Sequence, residues 1–167
     1  MAIENHVWVL PRPRRDHYKG SWPLHFEKKL LRLLELSPLE HKILHPFGGK
    51  AEYGVRIDVN PEVQPDYIGD AHNLDMFKDN TFDLVVCDPP YNDSLSKSLY
   101  GTGKIKYKQY ISEAVRVCKE GGFVASYHWA MTPRPEGTKY YCRIFIGTRI
   151  WHKPRVVCIF KKLTGQE

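Results

Sequence analysis

Apolar and polar positions alternate along this chain with two periods, one helical and one extended. In residues 24–36, leucines recur at helical spacing with charged residues between them, and the apolar residues of 106–119 follow the same spacing. Each pattern predicts an amphipathic helix, because apolar residues three or four positions apart form one face. Ser37-Pro38 ends the first helix, and Gly121-Gly122 stands just after the second as a stop signal.

Short apolar runs bounded by turn residues predict the strands of a sheet. Seven such runs occupy residues 41–47, 53–59, 67–68, 82–87, 123–127, 143–151 and 155–161. The last two flank His152-Lys153-Pro154 and predict a closing hairpin. The pattern as a whole predicts an α/β fold, with a seven-stranded, mostly parallel sheet, a terminal antiparallel hairpin and a reduced number of helices.

Length and composition place these elements in one domain. The 167 residues are predicted to form a single domain over residues 1–167, with a basic and aromatic N-terminal arm at residues 1–22. Hydrophobic residues make up 42% of the chain, and no apolar run approaches the length of a membrane span. The N-terminal segment breaks at Pro11 and turns basic, which argues against a signal peptide and favours a cytoplasmic protein.

The four cysteines lie inside apolar runs at wide, irregular spacing, and none of them forms a Cys-x-x-Cys pair. This spacing disfavours a zinc site or a disulfide framework. We therefore expect small thiols in the core and no metal site.

The charge of the chain favours a polyanionic partner, since the formal net charge is +6 and the isoelectric point is about 9.1. Basic residues cluster in residues 12–19 and 97–108 and are interleaved with aromatic residues, which is the combination that single-stranded or flipped nucleic acid requires. Residues 100–108 are predicted to form a mobile flap, in which Tyr100, Lys104 and Lys106 are candidate substrate-binding residues. The alternative for both clusters is a pair of solvated loops.

Polar residues end successive predicted strands. In an open α/β sheet, ligands bind at the carboxyl ends of the strands, beside the point where the strand order reverses. The residues at these ends are, in chain order, Gly48 and Gly49, Asp58, Asp70, Asp88 and His128. Acidic residues at successive strand ends are hard to explain by core packing, so we expect one functional rim. His128 is a candidate for lining a target pocket, although a histidine at a strand end is more often structural.

Asp88-Pro89-Pro90-Tyr91 follows a buried strand and has the groups needed to activate an amine. The exocyclic amine of a nucleobase is a poor nucleophile, because its lone pair is delocalised into the ring. Asp88 can accept one N–H and the Pro89 carbonyl the other, while the two prolines hold that carbonyl outward. Tyr91 offers a flat face on which a base stacks. The alternative is a strand end with an ordinary turn carboxylate.

These motifs together resemble the class I S-adenosylmethionine-dependent methyltransferases, and within them the amino-methyltransferases of nucleic acids, which modify adenine N6 or cytosine N4 in DNA. The resemblance spans residues 20–161 and rests on residues 45–49, Asp58, residues 69–71 and 82–87, and the tetrapeptide that begins at Asp88. It implies a Rossmann-like fold, S-adenosyl-L-methionine as the cofactor and methyl transfer to an exocyclic amino nitrogen.

The resemblance also implies a cofactor role for single residues. The methionine part would contact the turn after the first strand, the ribose would bind the acidic end of the second strand, and the adenine would meet the end of the third. The residues implied are Phe47, Gly48 and Gly49 for the methionine part, Asp58 for the ribose, and Asp70 and Ala71 for the adenine, with Val59 as a further cofactor-binding candidate. Residues 18–26, with Ser21 and Trp22, are similar to an additional cofactor motif of the family.

The chain departs from the family pattern at the cofactor turn. His45 stands where many relatives have an acidic residue that can bind the cofactor amine, and Glu52 is a hypothetical substitute for it. Few residues separate Gly48 from Asp58, so the helix that usually follows the first strand is predicted to be a loop here.

Adenine N6 in DNA is the favoured target, because Asp at the head of the tetrapeptide is frequent among adenine enzymes of this family. Adenine N6 or guanine N2 in tRNA or rRNA is the close alternative, and protein glutamine is disfavoured because those relatives usually have Asn at this position. A non-catalytic nucleic-acid-binding subunit of a methyltransferase complex is an alternative of another class. The chain is too short for a separate recognition domain, which favours a homodimer or a partner subunit.

Overall fold

The structure, a computed structural model, describes residues 2–13, 22–90, 105–149 and 153–165. These residues form one eight-stranded sheet, two α-helices and a short 3₁₀ turn at Pro61–Val63. The strands are β1 (Glu4–Val9), β2 (Ile43–His45), β3 (Val55–Asp58), β4 (Tyr67–Ile68), β5 (Phe82–Cys87), β6 (Cys118–His128), β7 (Thr138–Gly147) and β8 (Arg155–Lys162). The helices are α1 (Phe26–Leu33) and α2 (Tyr107–Val117).

The strand order across the sheet is β1-β7-β8-β6-β5-β2-β3-β4. β8 runs antiparallel to both of its neighbours, β6 and β7, whereas every other neighbouring pair is parallel. This arrangement confirms the predicted α/β fold with a mostly parallel sheet, few helices and a terminal antiparallel hairpin. Parallel strands need coverage on both faces, and α1 and α2 lie on opposite faces of the sheet.

β1 corrects the prediction for the N-terminal arm, because residues 4–9 form an eighth strand where no element was expected. The strand pairs in parallel with β7, with Trp8 opposite Ile146. Trp8 is buried and its ring centroid lies 6.3 Å from that of Phe26 in α1. Burial of this large side chain holds the arm on the sheet edge, since an aromatic residue removes a large apolar area from water.

The boundary between α2 and β6 also differs from the prediction. The helix ends at Val117, and Cys118 already pairs with Phe82 of β5. Gly121 and Gly122 therefore lie inside β6, where Gly121 has φ of 73° and a Cβ on Gly122 would come within 2.9 Å of the Asp83 carbonyl oxygen. The glycine pair marks an irregularity in strand pairing rather than the end of a helix.

Other boundaries shift by a few residues. The first helix is shorter than the predicted 24–36, and β7 covers 138–147 where 143–151 was predicted. Residues 46–54, all of which are described, contain turns and no helix, which confirms the loop predicted after the first strand of the cofactor region. The fold therefore lacks a helix between β2 and β3, as the sequence predicted.

The core lies on both faces of the sheet. α1 packs with β1, β7 and β8 on one face, and α2 packs with β2 and β5 on the other. All four cysteines, Cys87, Cys118, Cys142 and Cys158, are buried thiols, as predicted. Within the ranges described, neither helix has the length and apolar character needed to cross a membrane.

Candidate active site at the carboxyl ends of the strands

The sheet reverses its order between β2 and β5. The chain leaves β2 for β3 and β4 on one side and returns in β5 on the other side of β2. Ligands of such open sheets bind at the carboxyl ends of the strands beside this reversal point. Gly48 and Gly49 follow β2, and Asp88 follows β5, so the two motifs predicted to form the site flank this point.

Asp88 is half-buried directly after β5, and Pro89 behind it is buried. The indole Nε1–H of Trp22 donates a hydrogen bond of 2.5 Å to Oδ2 of Asp88. A carboxylate has about four lone-pair sites, and this bond occupies one of them. The indole N–H thus fixes the orientation of the carboxylate.

Aromatic rings surround Trp22, whose indole N–H binds Asp88. The Trp22 ring lies 5.3 Å from Phe26, 5.6 Å from His45 and 6.2 Å from Tyr127, measured between centroids. Burial raises the pKa of Tyr127, and the negative charge of Asp88 raises it further, so the phenol stays neutral. Trp22 is therefore fixed by packing, and its N–H is pre-positioned on Asp88.

The glycine turn after β2 is closed around Asp58. The Gly49 N–H donates to Oδ2 of Asp58 at 2.9 Å, and the Asn60 N–H donates to Oδ1 at 2.9 Å. Asp58 is only 2% exposed. Gly48 must lack a side chain, since a Cβ there would come within 2.7 Å of Cβ of Arg56. Asp58, predicted to bind the ribose, thus also ties the turn to the end of β3.

The end of β4 is tied to the start of α2. Oδ1 of Asp70 lies 2.5 Å from Nδ1 of His72, and Nε2 of His72 accepts the backbone N–H of Lys106 at 2.9 Å. Because Nε2 is an acceptor, the proton resides on Nδ1 and is donated to Asp70. Ala71 beside them is buried, and Lys106, predicted to bind substrate, is exposed at the beginning of α2.

The carboxyl end of β6 carries basic and aromatic groups. His128 is half-buried, and burial followed by the charge of Arg155 lowers its pKa. The ring of exposed Trp129 lies 6.0 Å from that of His128, and Nζ of Lys153 lies 4.8 Å above the Trp129 ring. The rim is therefore acidic at β3, β4 and β5 and cationic with an exposed aromatic face at β6 and β8.

Several predicted site residues fall outside the described ranges. These are Ser21, Tyr91, Tyr100 and Lys104. The described candidates all lie at the carboxyl ends of strands or, for Trp22 and Lys106, next to them: Trp22, Phe47, Gly48, Gly49, Asp58, Val59, Asp70, Ala71, Asp88, Pro89, Pro90, Lys106 and His128. Phe47 packs edge-on against Tyr110 of α2, with ring centroids 5.2 Å apart.

The sequence did not single out Glu27, whose carboxylate meets Tyr53 near the site. Burial raises the pKa of Glu27 in α1 to about 7, with Glu52 as a second cause, and Tyr53 interacts with the same carboxylate. Glu27 sits in a predicted amphipathic helix among other charged residues, so its pattern did not distinguish it from a solvated surface residue. Only the packing of α1 against the loop after β2 brings it inward.

No protein-family model matches this sequence, and no curated protein matches it. Solved structures do resemble the fold. TrmN from Thermus thermophilus gives a TM-score of 0.63 at 18% identity, covering 87% of this chain and 50% of TrmN, so this chain spans half the length of that protein. A putative class I S-adenosylmethionine-dependent methyltransferase from Listeria monocytogenes gives a TM-score of 0.60 at 14% identity, covering 92% of this chain and 64% of that chain.

A third similar structure contains ligands. The 1,6-didemethyltoxoflavin-N1-methyltransferase from Burkholderia thailandensis, with bound 1,6-didemethyltoxoflavin and S-adenosylhomocysteine, gives a TM-score of 0.58 at 10% identity. The match covers 82% of this chain and 76% of that one. At these identities the similarity establishes a shared fold.

Proposed function

We propose that this chain, which has the fold of class I S-adenosylmethionine-dependent methyltransferases, transfers a methyl group from S-adenosyl-L-methionine to an exocyclic amino nitrogen of a nucleobase, with adenine N6 in DNA as the target. One observation carries the proposal. Asp88 leaves β5 at the reversal point of the sheet, ahead of two prolines, and its carboxylate is held by the Trp22 indole N–H.

The chemistry of the proposal needs an acceptor for each N–H of the amine. Asp88 accepts one and the Pro89 carbonyl the other, which localises the nitrogen lone pair for in-line attack on the methyl carbon. The new N–C bond forms as the C–S bond breaks, and the electron pair stays on sulfur, giving S-adenosylhomocysteine. The surplus amine proton leaves through Asp88 or water. Tyr91, predicted to stack the base, lies outside the described residues.

The residues present fit the cofactor. Gly48 and Gly49 form the turn beside the reversal point, and near them Glu27, His45 and Tyr53 carry buried polar atoms that form no hydrogen bond of good geometry among the described residues. A polar ligand would satisfy such atoms, which are costly to leave unpaired. Bound there, S-adenosyl-L-methionine supplies an electrophilic methyl group on a positively charged sulfur. Phe47, Asp58, Asp70 and Ala71 complete the set that would hold it.

The cationic end of the rim supports a nucleic-acid target. Trp129 presents an exposed ring, with Lys153 above it and Arg155 close to His128 at the start of β8. Aromatic rings stack bases and neighbouring cations bind phosphates, which is how proteins hold flipped or single-stranded nucleic acid. The net charge of +6 agrees with such a partner.

Two measurements test the proposal. Calorimetric titration of the protein with S-adenosyl-L-methionine is expected to show binding, and labelled methyl from it is expected to reach DNA, with N6-methyladenine as the modified nucleoside. Labelling of tRNA or rRNA instead of DNA would identify RNA as the substrate. Cofactor binding with no labelling of any nucleic-acid pool would refute nucleobase methylation.

A second candidate is a nucleic-acid-binding subunit that supports an active partner. The observation that favours it is the burial of Asp58, whose two oxygens already accept backbone N–H groups within the turn. On this alternative, Asp58 serves only to hold the turn together. If titration with S-adenosyl-L-methionine gives no heat while the protein still retards DNA or RNA in a gel, this second function is the correct one.

The Trp22→Phe variant tests the role of the indole N–H. Phenylalanine retains much of the ring packing against Phe26 and Tyr127 but cannot donate to Asp88. We expect kcat to fall about 10- to 100-fold, since a charge-assisted hydrogen bond to the reacting carboxylate is lost. The cofactor dissociation constant should change much less than kcat, because phenylalanine keeps a ring beside His45 and the substitution leaves the glycine turn intact.

Trp8→Phe is the matched control, because Trp8 packs on the same helix residue, Phe26, away from Asp88. It should lower the melting temperature and leave kcat of the folded protein unchanged. Equal losses of kcat in the two variants would mean that Trp22 acts only through packing.

A further inference from the structure

Four side chains from three segments meet between α1 and β2, and we name them the α1–β2 cluster: Trp22, Glu27, His45 and Tyr53. Ring centroids of His45 lie 5.6 Å from Trp22 and 5.4 Å from Tyr53. Tyr53 in turn interacts with the carboxylate of Glu27. Since Trp22 also binds Asp88, the cluster is continuous with the proposed active site.

The cluster holds several buried polar atoms that form no hydrogen bond of good geometry. Both ring nitrogens of His45, the Tyr53 hydroxyl and Oε1 of Glu27 are buried with no hydrogen bond of good geometry to any described residue. His45 is only 1% exposed. Buried polar groups are nearly always paired, so four such atoms side by side indicate a place for a polar ligand.

The groups in the cluster suit a ligand that carries an ammonium and a carboxylate on one carbon. Glu27 supplies an anionic acceptor, and the Tyr53 hydroxyl and the imidazole of His45 supply donors. Burial lowers the pKa of His45 to about 4, so the imidazole is neutral and does not repel an ammonium. Burial raises the pKa of Tyr53, which keeps its hydroxyl proton available for donation.

We propose that Glu27 binds the α-ammonium group of the methionine part of the cofactor, as the carboxylate that this chain lacks at His45. The inference rests on the proposed function and assigns a residue within its site. Glu52, the substitute considered from the sequence, is exposed, whereas Oε1 of Glu27 is buried inside the cluster next to the glycine turn. An ammonium bound there would satisfy Glu27 and offset the cost of its burial.

The test compares two nucleosides that differ in this group. S-adenosylhomocysteine carries the amino-acid end, and 5′-methylthioadenosine has the same thioether nucleoside without it. In calorimetric titrations near pH 8, Glu27→Gln is expected to weaken binding of S-adenosylhomocysteine about 10- to 100-fold and to change binding of methylthioadenosine less than about twofold. Glutamine mimics the protonated carboxyl of Glu27, so the variant should fold as the wild type does.

Two matched variants assign the effect. Glu35→Gln removes an exposed charge just after α1, and it should leave both affinities unchanged. Glu52→Gln should weaken binding of S-adenosylhomocysteine less than about threefold. An effect of Glu52→Gln as large as that of Glu27→Gln, or equal losses for both nucleosides in Glu27→Gln, would overturn the assignment.

The same titrations vary with pH in a defined direction. Burial and the charge of Glu52 raise the pKa of Glu27 to about 7, and only the ionised carboxylate binds an ammonium. The titratable groups that face Glu27 are Glu52, Tyr53 and His45. The charge of Arg56 acts on His45, and Asp88 lies on the far side of Trp22. S-adenosylhomocysteine should bind up to about tenfold more tightly at about pH 8 than at about pH 6, and methylthioadenosine should not follow this trend.

The outcomes separate this inference from the proposed function. If the wild-type protein binds neither nucleoside, the proposed function fails. If it binds both and Glu27→Gln binds S-adenosylhomocysteine as the wild type does, with no pH dependence in either protein, the cofactor site stands and the role of Glu27 is refuted.

Discussion

Replacement of Asp88 by alanine is expected to lower the rate of methyl transfer at least about a thousandfold while the cofactor still binds. Without the carboxylate, the amine keeps its lone pair in the ring, and the Trp22 indole N–H loses its acceptor. The glycine turn does not depend on Asp88, since it is held by Asp58 and Ile57. Single-turnover transfer of labelled methyl and calorimetric titration measure the two effects separately.

Asp88→Asn should lower the rate of methyl transfer by an intermediate factor. Its amide has a single acceptor oxygen, for which the Trp22 indole N–H and the substrate amine would compete. Asp75→Ala is the matched control, as it removes an exposed carboxylate in the loop between β4 and β5, away from the reversal point. Methyl transfer by Asp88→Ala within about tenfold of the wild-type rate would contradict the assigned mechanism.

Replacement of Asp58 by alanine is expected to abolish measurable cofactor binding and to lower the free energy of unfolding by about 2–5 kcal/mol. The variant leaves the N–H groups of Gly49 and Asn60 without their acceptor at a site that is 2% exposed. The turn after β2 would then lose its connection to the end of β3. Denaturant unfolding gives the stability, and titration with S-adenosylhomocysteine gives the binding.

Asp66→Ala is the control for this prediction. Asp66 also accepts a backbone N–H, that of Arg56 at 2.8 Å, but it is exposed to water. Water can replace its carboxylate, so the loss of stability should stay below about 1 kcal/mol and cofactor binding should persist. If Asp58→Ala is as stable as Asp66→Ala, the turn is not held together by Asp58.

Sequence periodicity predicted the elements whose signal is local. β5 is found at the predicted residues 82–87, and β4 at 67–68, because continuous apolar runs ended by turn residues have few alternative readings. The loop between Gly48 and Asp58 was also predicted, since too few residues separate them for a helix. The roles assigned to residues of the rim stay predictions, which the variants above test.

Elements whose position depends on pairing were predicted less well. β1 was missed because its six residues sit beside a basic segment, and its pairing partner is β7, more than a hundred residues away in the chain. A glycine pair such as Gly121-Gly122 can indicate either the end of a helix or an irregularity in a strand. Pairing of Cys118 with Phe82 decided between them.

The sequence by itself determined which polar residues end the strands, because alternating side chains and turn residues define a strand end locally. Only the tertiary structure decided what those residues touch. Trp22 reaches Asp88 across 66 positions of the chain, and Oε1 of Glu27 is buried only because α1 packs against the loop after β2. Contacts and burial depend on segments distant in sequence, whereas periodicity reports only on neighbours.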